Sequence, residues 1–378
     1  MNNNFKIVKP WGTLLLLCVF YMGSYGQSFQ GNYTNSEYFP EDNWEKIHNY
    51  QELGWSKSKL EQALKMTDSL NMASTVVLYK GKILIEKGDV QRKLPSHSVR
   101  KSLLSATFGP DVDKGTINIL KTLDELGIDD IAPPLTGIEK QATIQMLLKA
   151  RSGIYHKAAF ETEAMTASKP IRYSHEPGTF WHYNNWDFNT LGYIYEQETG
   201  MGVFEGFKKN IADPIGMKDF DPEKDGRYVY EKEKSKYPAY PFMISARQLA
   251  RVGLLMARNG RWKDQQVIPK FWVKESTTSY SDAKFSKLSS NVESSAADGG
   301  YGYLWWIAVN GHFKGVSNLP LGSYAALGFM GHVLVVIPDM DFVFVYRNDD
   351  DAQKNGKKST SYENIAILLK EILAAKAG

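Results

Sequence analysis

Ser98 and Lys101, three residues apart in Ser98-Val99-Arg100-Lys101, have types and spacing that suit nucleophilic chemistry. On a helix such residues lie one turn apart on one face, with an amine in hydrogen-bond reach of a hydroxyl. A serine alcohol is a poor nucleophile until a base takes its proton, and a desolvated, uncharged lysine can be that base. The same spacing recurs at Ser56/Lys59 and Ser281/Lys284, where the surroundings read as solvated surface. At Ser98 the context differs. Pro95-Ser96 precede it as helix-start chemistry, Leu103, Leu104 and Phe108 continue as a buried side, and Gly109-Pro110 read as a stop. Ser98 is thus expected in the first turn, where free backbone N–H groups and the helix dipole favour developing negative charge. The plain alternative is an ordinary polar helix start.

A second chemical group is Tyr183 in Tyr183-Asn184-Asn185, set after Pro177-Gly178 and before a helical stretch. A phenol beside a lysine ammonium has its ionised form favoured, so Tyr183 and Lys101 are candidates to share a proton. Spacing alone favours Tyr183 as one ring of an aromatic cluster with Phe180, Trp181 and Trp186. His97 is expected on a different helix face from Ser98, since neighbours are about 100° apart, and reads as structural. Other chemistries lack their residues. There is no Gly-x-Ser-x-Gly, no His-Glu-x-x-His or His/Cys cluster, and no Gly-rich phosphate loop, so no metal and no cofactor is expected.

These residues need a scaffold, and 378 residues suffice for a large core. Hydrophobic residues at 43% and charged residues at 23% are those of a soluble globular protein. The formal charge is +3; Lys6 and Lys9 fall in a segment expected to be removed, leaving 3 − 2 = +1. No large basic field points to nucleic acid. Residues 1–26 read as a secretory signal: Lys6 and Lys9, an apolar run from Trp11 to Met22, then Ser24 and Gly26 as the small residues of a cleavage site. An uncleaved anchor is the second reading, but the apolar run is short for a membrane span. No stable span is expected after cleavage. Cys18, the single cysteine, lies inside this segment, so the mature chain has neither disulfides nor thiol catalysis, and its setting is periplasmic or extracellular.

Residues 27–73 form an irregular aromatic extension followed by an amphipathic helix from Leu60 to Met72, and residues 74–378 the main domain. Ser74–Tyr79 and Ile83–Glu86 flank Lys80-Gly81-Lys82 as a β-hairpin. The middle of the chain, about 110–258, is helical: Ile117–Leu123, Ala142–Leu148 capped by Thr143 and ending at Ser152-Gly153, Asn189–Thr199 closed by Gly200, Phe204–Ile211 and Ala246–Arg258. Strand runs return at Tyr303–Val309, Val333–Ile337 and Phe342–Tyr346, with Asn310-Gly311 and Pro338–Asp341 as turns. A helix from Tyr362 to Ala374 closes the chain. Ser276–Gly300 is a serine-rich loop that could border a site. The expected fold is α+β: an antiparallel sheet built from both ends of the chain, flanked by helices, with an all-helical insertion.

Ser98-Val99-Arg100-Lys101, Tyr183-Asn184-Asn185 and a Gly-containing run before the last strands occur in the order found in penicillin-recognising serine hydrolases. The chain resembles that superfamily, which includes class C β-lactamases, D-alanyl-D-alanine carboxypeptidases, related esterases and nylon-oligomer (6-aminohexanoate-dimer) hydrolases. Ala142–Ile154, Glu176–Phe180, Ser245–Arg251 and Tyr301–Trp306 support it, and the likeness spans about Ser74 to Asn348. The resemblance implies Ser98 as nucleophile, Lys101 as general base, Tyr183 as proton relay to the leaving group and Asn185 as a substrate contact. It places the third motif on Ala326-Leu327-Gly328, which lacks the usual cation and hydroxyl. Gly328 still permits close backbone approach, and the Phe329 N–H could pair with the Ser98 N–H as an oxyanion hole. The missing cation weakens the case for a substrate carboxylate and points to a broad amidase or esterase acting on a small amide, ester or peptide. The rival reading is a binding or sensor protein on the same fold that has lost turnover.

Overall fold

β-Branched and aromatic runs at the two ends of the chain build the central sheet. The computed structural model describes residues 37–282, 299–309 and 319–376, which belong to one compact unit spanning Asn35–Gly378. The expected signal, with Cys18, lies outside the described residues, as do Asn310-Gly311 and most of the serine-rich loop. The strands are β1 (Met72–Tyr79), β2 (Lys82–Gly88), β3 (Leu94–Pro95), β4 (Met243–Ile244), β5 (Arg261–Trp262), β6 (Gln265–Gln266), β7 (Ser281–Asp282), β8 (Gly300–Tyr301), β9 (Trp306–Ile307), β10 (Tyr324–Gly328), β11 (His332–Ile337) and β12 (Phe342–Asn348). Eight of them form one antiparallel sheet in the order β2-β1-β12-β11-β10-β9-β8-β7, while β3 pairs with β4 and β5 with β6. The chain's first long strand therefore lies against its last, Val76 opposite Val345. In β12 every residue is buried, so both faces of the strand are covered. This α+β architecture is the expected one.

The helices are α1 (Lys57–Met66), α2 (Val99–Asp113), α3 (Ile144–Leu148), α4 (Glu163–Ser168), α5 (Asn185–Thr199), α6 (Val203–Phe207), α7 (Pro222–Asp225), α8 (Ala246–Ala257), α9 (Lys270–Ser276), α10 (Asp350–Lys354) and α11 (Tyr362–Ala374). α8 lies on β1, β11 and β12, and Gly253 lets it do so closely: a Cβ there would stand 2.5 Å from Val343 Cγ1. α2 packs against β10 and against α5, α6 and α9, so the Ser98 helix is enclosed from several sides.

Local expectations fail where packing outweighs propensity. Gly109-Pro110 do not stop α2, which continues to Asp113 with Pro110 inside it. Gly109 is instead a contact glycine, since a Cβ would meet Trp272 Cδ1 at 2.6 Å. Burial of Phe108 through Asp111 offsets the hydrogen bond that the proline cannot make. The first helix ends at Met66, not Met72, because Met72 opens β1. Ile117–Leu123 forms turns rather than a helix; its backbone pairs with the 142–145 segment, as in Leu123 N–H to Ala142 O at 2.8 Å. α3 stops at Leu148, short of Ser152-Gly153, although Thr143 caps it as expected. α5 starts at Asn185, four residues early, because the Asn184 side chain accepts the Trp186 N–H. The Tyr303–Val309 run holds only β9, broken by Leu304 at φ 63°. β10, α4 and α9 carried no periodic signal and were not expected.

Candidate functional site

The segment before Ser98 is bent by a left-handed residue, His97 at φ 47°, which sets Ser98 at the N-cap of α2. There backbone N–H groups lack intrahelical acceptors. The Ser98 side chain makes no capping bond, leaving its hydroxyl to face Lys101. Lys101 Nζ lies 2.8 Å from Ser98 Oγ and 2.6 Å from the Tyr183 hydroxyl. The structure thus brings these three sequence candidates together. Lys101 is 2% exposed, and burial, aided by the neighbouring Arg100 charge, holds its amine well below the usual lysine range.

Tyr183 corrects one expectation. Burial pushes its phenol up to about 12, against the smaller opposing pulls of the Ser98 hydrogen bond and the Arg100 charge. Desolvation outweighs the pull of the neighbouring groups, so the phenol is held protonated at neutral pH. Tyr183 is also an aromatic-cluster residue: it stacks on Trp306 (5.4 Å, 24°) and tilts against Phe188 (4.9 Å), and of the expected rings Trp181 joins the cluster through Trp306 and Tyr301. Trp186 packs on Tyr237 and Phe180 on His175 instead.

The three groups open into a cavity of about 620 Å³, whose apolar wall includes Phe160, Met165, Trp306, Leu327 and Phe329. Asn185 lines it too; its Nδ2 donates to Phe160 O at 2.7 Å, while its Oδ1 has no partner. Gly328 ends β10 against the loop before Ser98. A Cβ there would sit 2.8 Å from Ser96 O, so a bare backbone is needed for this approach. Tyr362, the first residue of α11, donates its hydroxyl hydrogen to Gly328 O at 2.6 Å. Carbonyl and N–H point opposite ways across a trans peptide, so this bond turns the Phe329 N–H away from Tyr362. Phe329 itself is 55% exposed at the cavity rim. Arg100, Tyr362 and Met165 are cavity residues that sequence reasoning missed. Arg100 alone had a signal, as a second cation beside Lys101 in the Ser98 motif.

His97 is not on a helix face as expected; it lines the cavity and its Nε2 lies 3.2 Å from Asp350 Oδ2. Asp350 Oδ1 accepts from His332 Nε2 at 2.8 Å, and His332 Nδ1 accepts from Arg347 Nε at 2.8 Å. His97, His332 and Asp350 therefore meet closely enough to suggest a metal cradle, which no sequence spacing foretold. Their donor set argues otherwise. With Nδ1 occupied by the arginine, His332 carries its proton on Nε2, and that proton is already bonded to Asp350. Burial and Arg347 hold the His332 imidazole neutral, its pKa pushed down to about 3. The group reads as a hydrogen-bonded chain running from Arg347 to the residue before Ser98.

Fold and site together define a class, and sequence comparison agrees: the β-lactamase family profile matches residues 73–358. The chain belongs to the β-lactamase family, among the penicillin-recognising serine hydrolases. No curated protein sequence matches it. Among solved structures it is similar to a Bacillus anthracis protein described provisionally as a 6-aminohexanoate-dimer hydrolase (17% identity, 89% of this chain and 87% of that one, TM-score 0.57). It is likewise similar to a β-lactamase from Mycobacterium bovis (16%, 84% and 100%, TM-score 0.56). A third is the octameric penicillin-binding protein homologue from Pyrococcus abyssi (18%, 84% and 77%, TM-score 0.54). At these identities the likeness is one of fold. No described helix is long and apolar enough to cross a membrane.

Proposed function

We propose that the protein is a serine hydrolase that cleaves an amide or ester through an acyl-enzyme on Ser98, with a class C-like proton relay, acting outside the cytoplasm. The observation that carries this reading is the buried Lys101 amine held within 2.8 Å of Ser98 Oγ and 2.6 Å of Tyr183. Ser98 Oγ attacks the carbonyl carbon and its proton passes to Lys101 Nζ. The Ser98 and Phe329 N–H groups hold the oxyanion, with Tyr362 fixing the second donor's peptide plane. Lys101 returns the proton through the Tyr183 hydroxyl to the departing nitrogen or oxygen, and water then releases the acyl group. Ala326 and Leu327 offer no cation for a substrate carboxylate, which favours neutral amides and esters over β-lactams and D-alanyl peptides.

Incubation with a fluorophosphonate is expected to add one adduct, mapped by peptide mass spectrometry to Ser98. An adduct elsewhere, or none, would overturn the assignment. With p-nitrophenyl esters the adduct is expected to turn over; a permanent one would support the rival reading of a binding or sensor protein. Tyr362→Phe, which frees the Gly328 peptide, is expected to lower kcat about fivefold with KM little changed, the worth of roughly one hydrogen bond. Steady-state ester kinetics check this.

A further inference from the structure

Four cations are buried among the described residues: Arg100, Lys101, Arg258 and Arg347. Arg258 pairs with Asp341, and Arg347 donates to three backbone carbonyls and His332. Arg100 has no such compensation. At 2% exposure, its Nη2 donates to the neutral Asn189 Oδ1 (2.7 Å) and its guanidinium lies 4.2 Å from the Tyr240 ring centroid. Its Nη1 has no hydrogen-bond partner, and among the described residues no carboxylate lies in ion-pair reach of it. An unpaired buried charge is costly, and an apolar side chain of similar length would stabilise the helix start more. A guanidinium kept there, next in sequence to the general base, has an electrostatic effect on that base that no packing role requires.

Resting on the reading of Ser98 and Lys101 above, we propose that Arg100 is a positioning residue. Its uncompensated charge holds the Ser98–Lys101–Tyr183 group in the proton arrangement where Lys101 is uncharged and ready to accept from Ser98. Like charges in a low-dielectric interior repel strongly, so an ammonium at Lys101 is disfavoured while Arg100 stays charged. The other groups facing the site do not cancel this: Glu163 on α4 lines the cavity but is exposed, where water screens its charge, and His97 shares the Asp350 carboxylate with His332. Tyr183, Tyr240, Tyr301 and Tyr362 are phenols that burial raises. Asp187 on α5 accepts from Ser152 and Asn184 and is pushed up to about 8 by burial. On elements packed against α2, Glu205 accepts from the Gly202 N–H and Glu275 from the Tyr280 hydroxyl, while Asp111 further along α2 accepts from Tyr195 and Asn210. Lysines 208 and 209 after α6 and lysines 270 and 274 on α9 add no compensating negative charge.

The test reads Lys101 directly. In protein labelled with ¹³C-lysine, the Lys101 Cε resonance, assigned by its loss in Lys101→Met, is titrated in wild type, Arg100→Met and Arg100→Gln. Arg100→Gln keeps a polar amide beside Asn189 and Tyr240 while removing the charge, so a purely structural role for Arg100 predicts less disturbance there than in Arg100→Met, whereas an electrostatic role predicts the same shift in both. Both variants are expected to raise the Lys101 midpoint by about one pH unit or more, the size of a lost like-charge neighbour. The acidic limb of kcat/KM on a neutral ester should move with it. An unchanged midpoint in either folded variant overturns the proposal, as does a wild-type Lys101 that is fully charged at pH 7. If Arg100→Met fails to fold, Arg100→Gln decides alone. A shifted midpoint in a protein without ester turnover would uphold the role of Arg100 and sink the hydrolase reading instead.

Discussion

Lys101→Met is expected to slow fluorophosphonate labelling of Ser98 about a thousandfold or more while leaving the fold as stable as before, or more so. The two halves of this result have one cause. Lys101 is buried among Phe188, Tyr183 and Ser98, with its Nζ 4.8 Å and 4.4 Å from the centres of the two rings, and burial pushes the amine toward its neutral form. Methionine has nearly the same length and suits the same apolar walls, so the substitution removes a proton acceptor without removing a charge. General-base contributions commonly reach factors of about 10² to 10⁴, and removal of one member of a cooperating nucleophile–base unit costs nearly as much as removal of all. Relief of a desolvated polar group in the core is worth a gain of about 0.5–2 kcal/mol, the familiar exchange of stability for activity. Labelling rates and thermal midpoints measured on the same preparations check both halves. A variant that labels within about tenfold of wild type would show that something other than Lys101 deprotonates Ser98, because a base of this kind is worth at least that factor.

The parts of this site that were legible in the sequence are those written in local spacing. Ser98 and Lys101 share a helix, so three residues of separation place one above the other. Tyr183 and Asn185 could be placed only through the resemblance to a family, since 82 residues separate Tyr183 from Lys101 and nothing local draws them together. What was not legible was made by tertiary contact. His332, Asp350 and Arg347 meet His97 at the ends of β11 and β12, and Tyr362 reaches Gly328 from the last helix. Tyr183 was misread in charge for the same reason. Its neighbours could be guessed, but the depth of its burial, which decides that the phenol stays protonated, is a property of the packed whole. At Gly109-Pro110 two residues that end most helices are carried through one because Trp272 packs on the glycine. The core strands were legible because each is a continuous apolar run. β10 escaped because Tyr324–Gly328 offers two alanines and a glycine rather than β-branched residues.

Arg347→Met is expected to cost about 3–5 kcal/mol of stability, because it strips charged donors from three carbonyls in a dry interior. Arg347 projects from the central strand β12 and is wholly buried, donating to Ile244 O, to Leu94 O at 3.0 Å and to Pro95 O at 2.9 Å. β3 and β4 are only two residues long, too short to hold each other in place unaided. The guanidinium pins both to the main sheet, and β3 leads within three residues to Ser98. Burial lowers Arg347 to about 9, so it remains charged at neutral pH and its bonds stay charge-assisted. Its fourth bond, Nε to His332 Nδ1, fixes the tautomer that lets His332 donate to Asp350, whose other oxygen meets His97. Loss of the arginine therefore loosens the left-handed turn that sets Ser98, and the rate of Ser98 labelling is expected to fall together with stability. Arg347→Lys should rescue little, because a single ammonium cannot span acceptors on three segments as the planar fork does. Denaturant unfolding and labelling rates on both variants measure this. If Arg347→Met lost under about 1 kcal/mol, the typical net worth of one ordinary hydrogen bond, and labelled at the wild-type rate, the sheet would be holding Ser98 in position without this clamp.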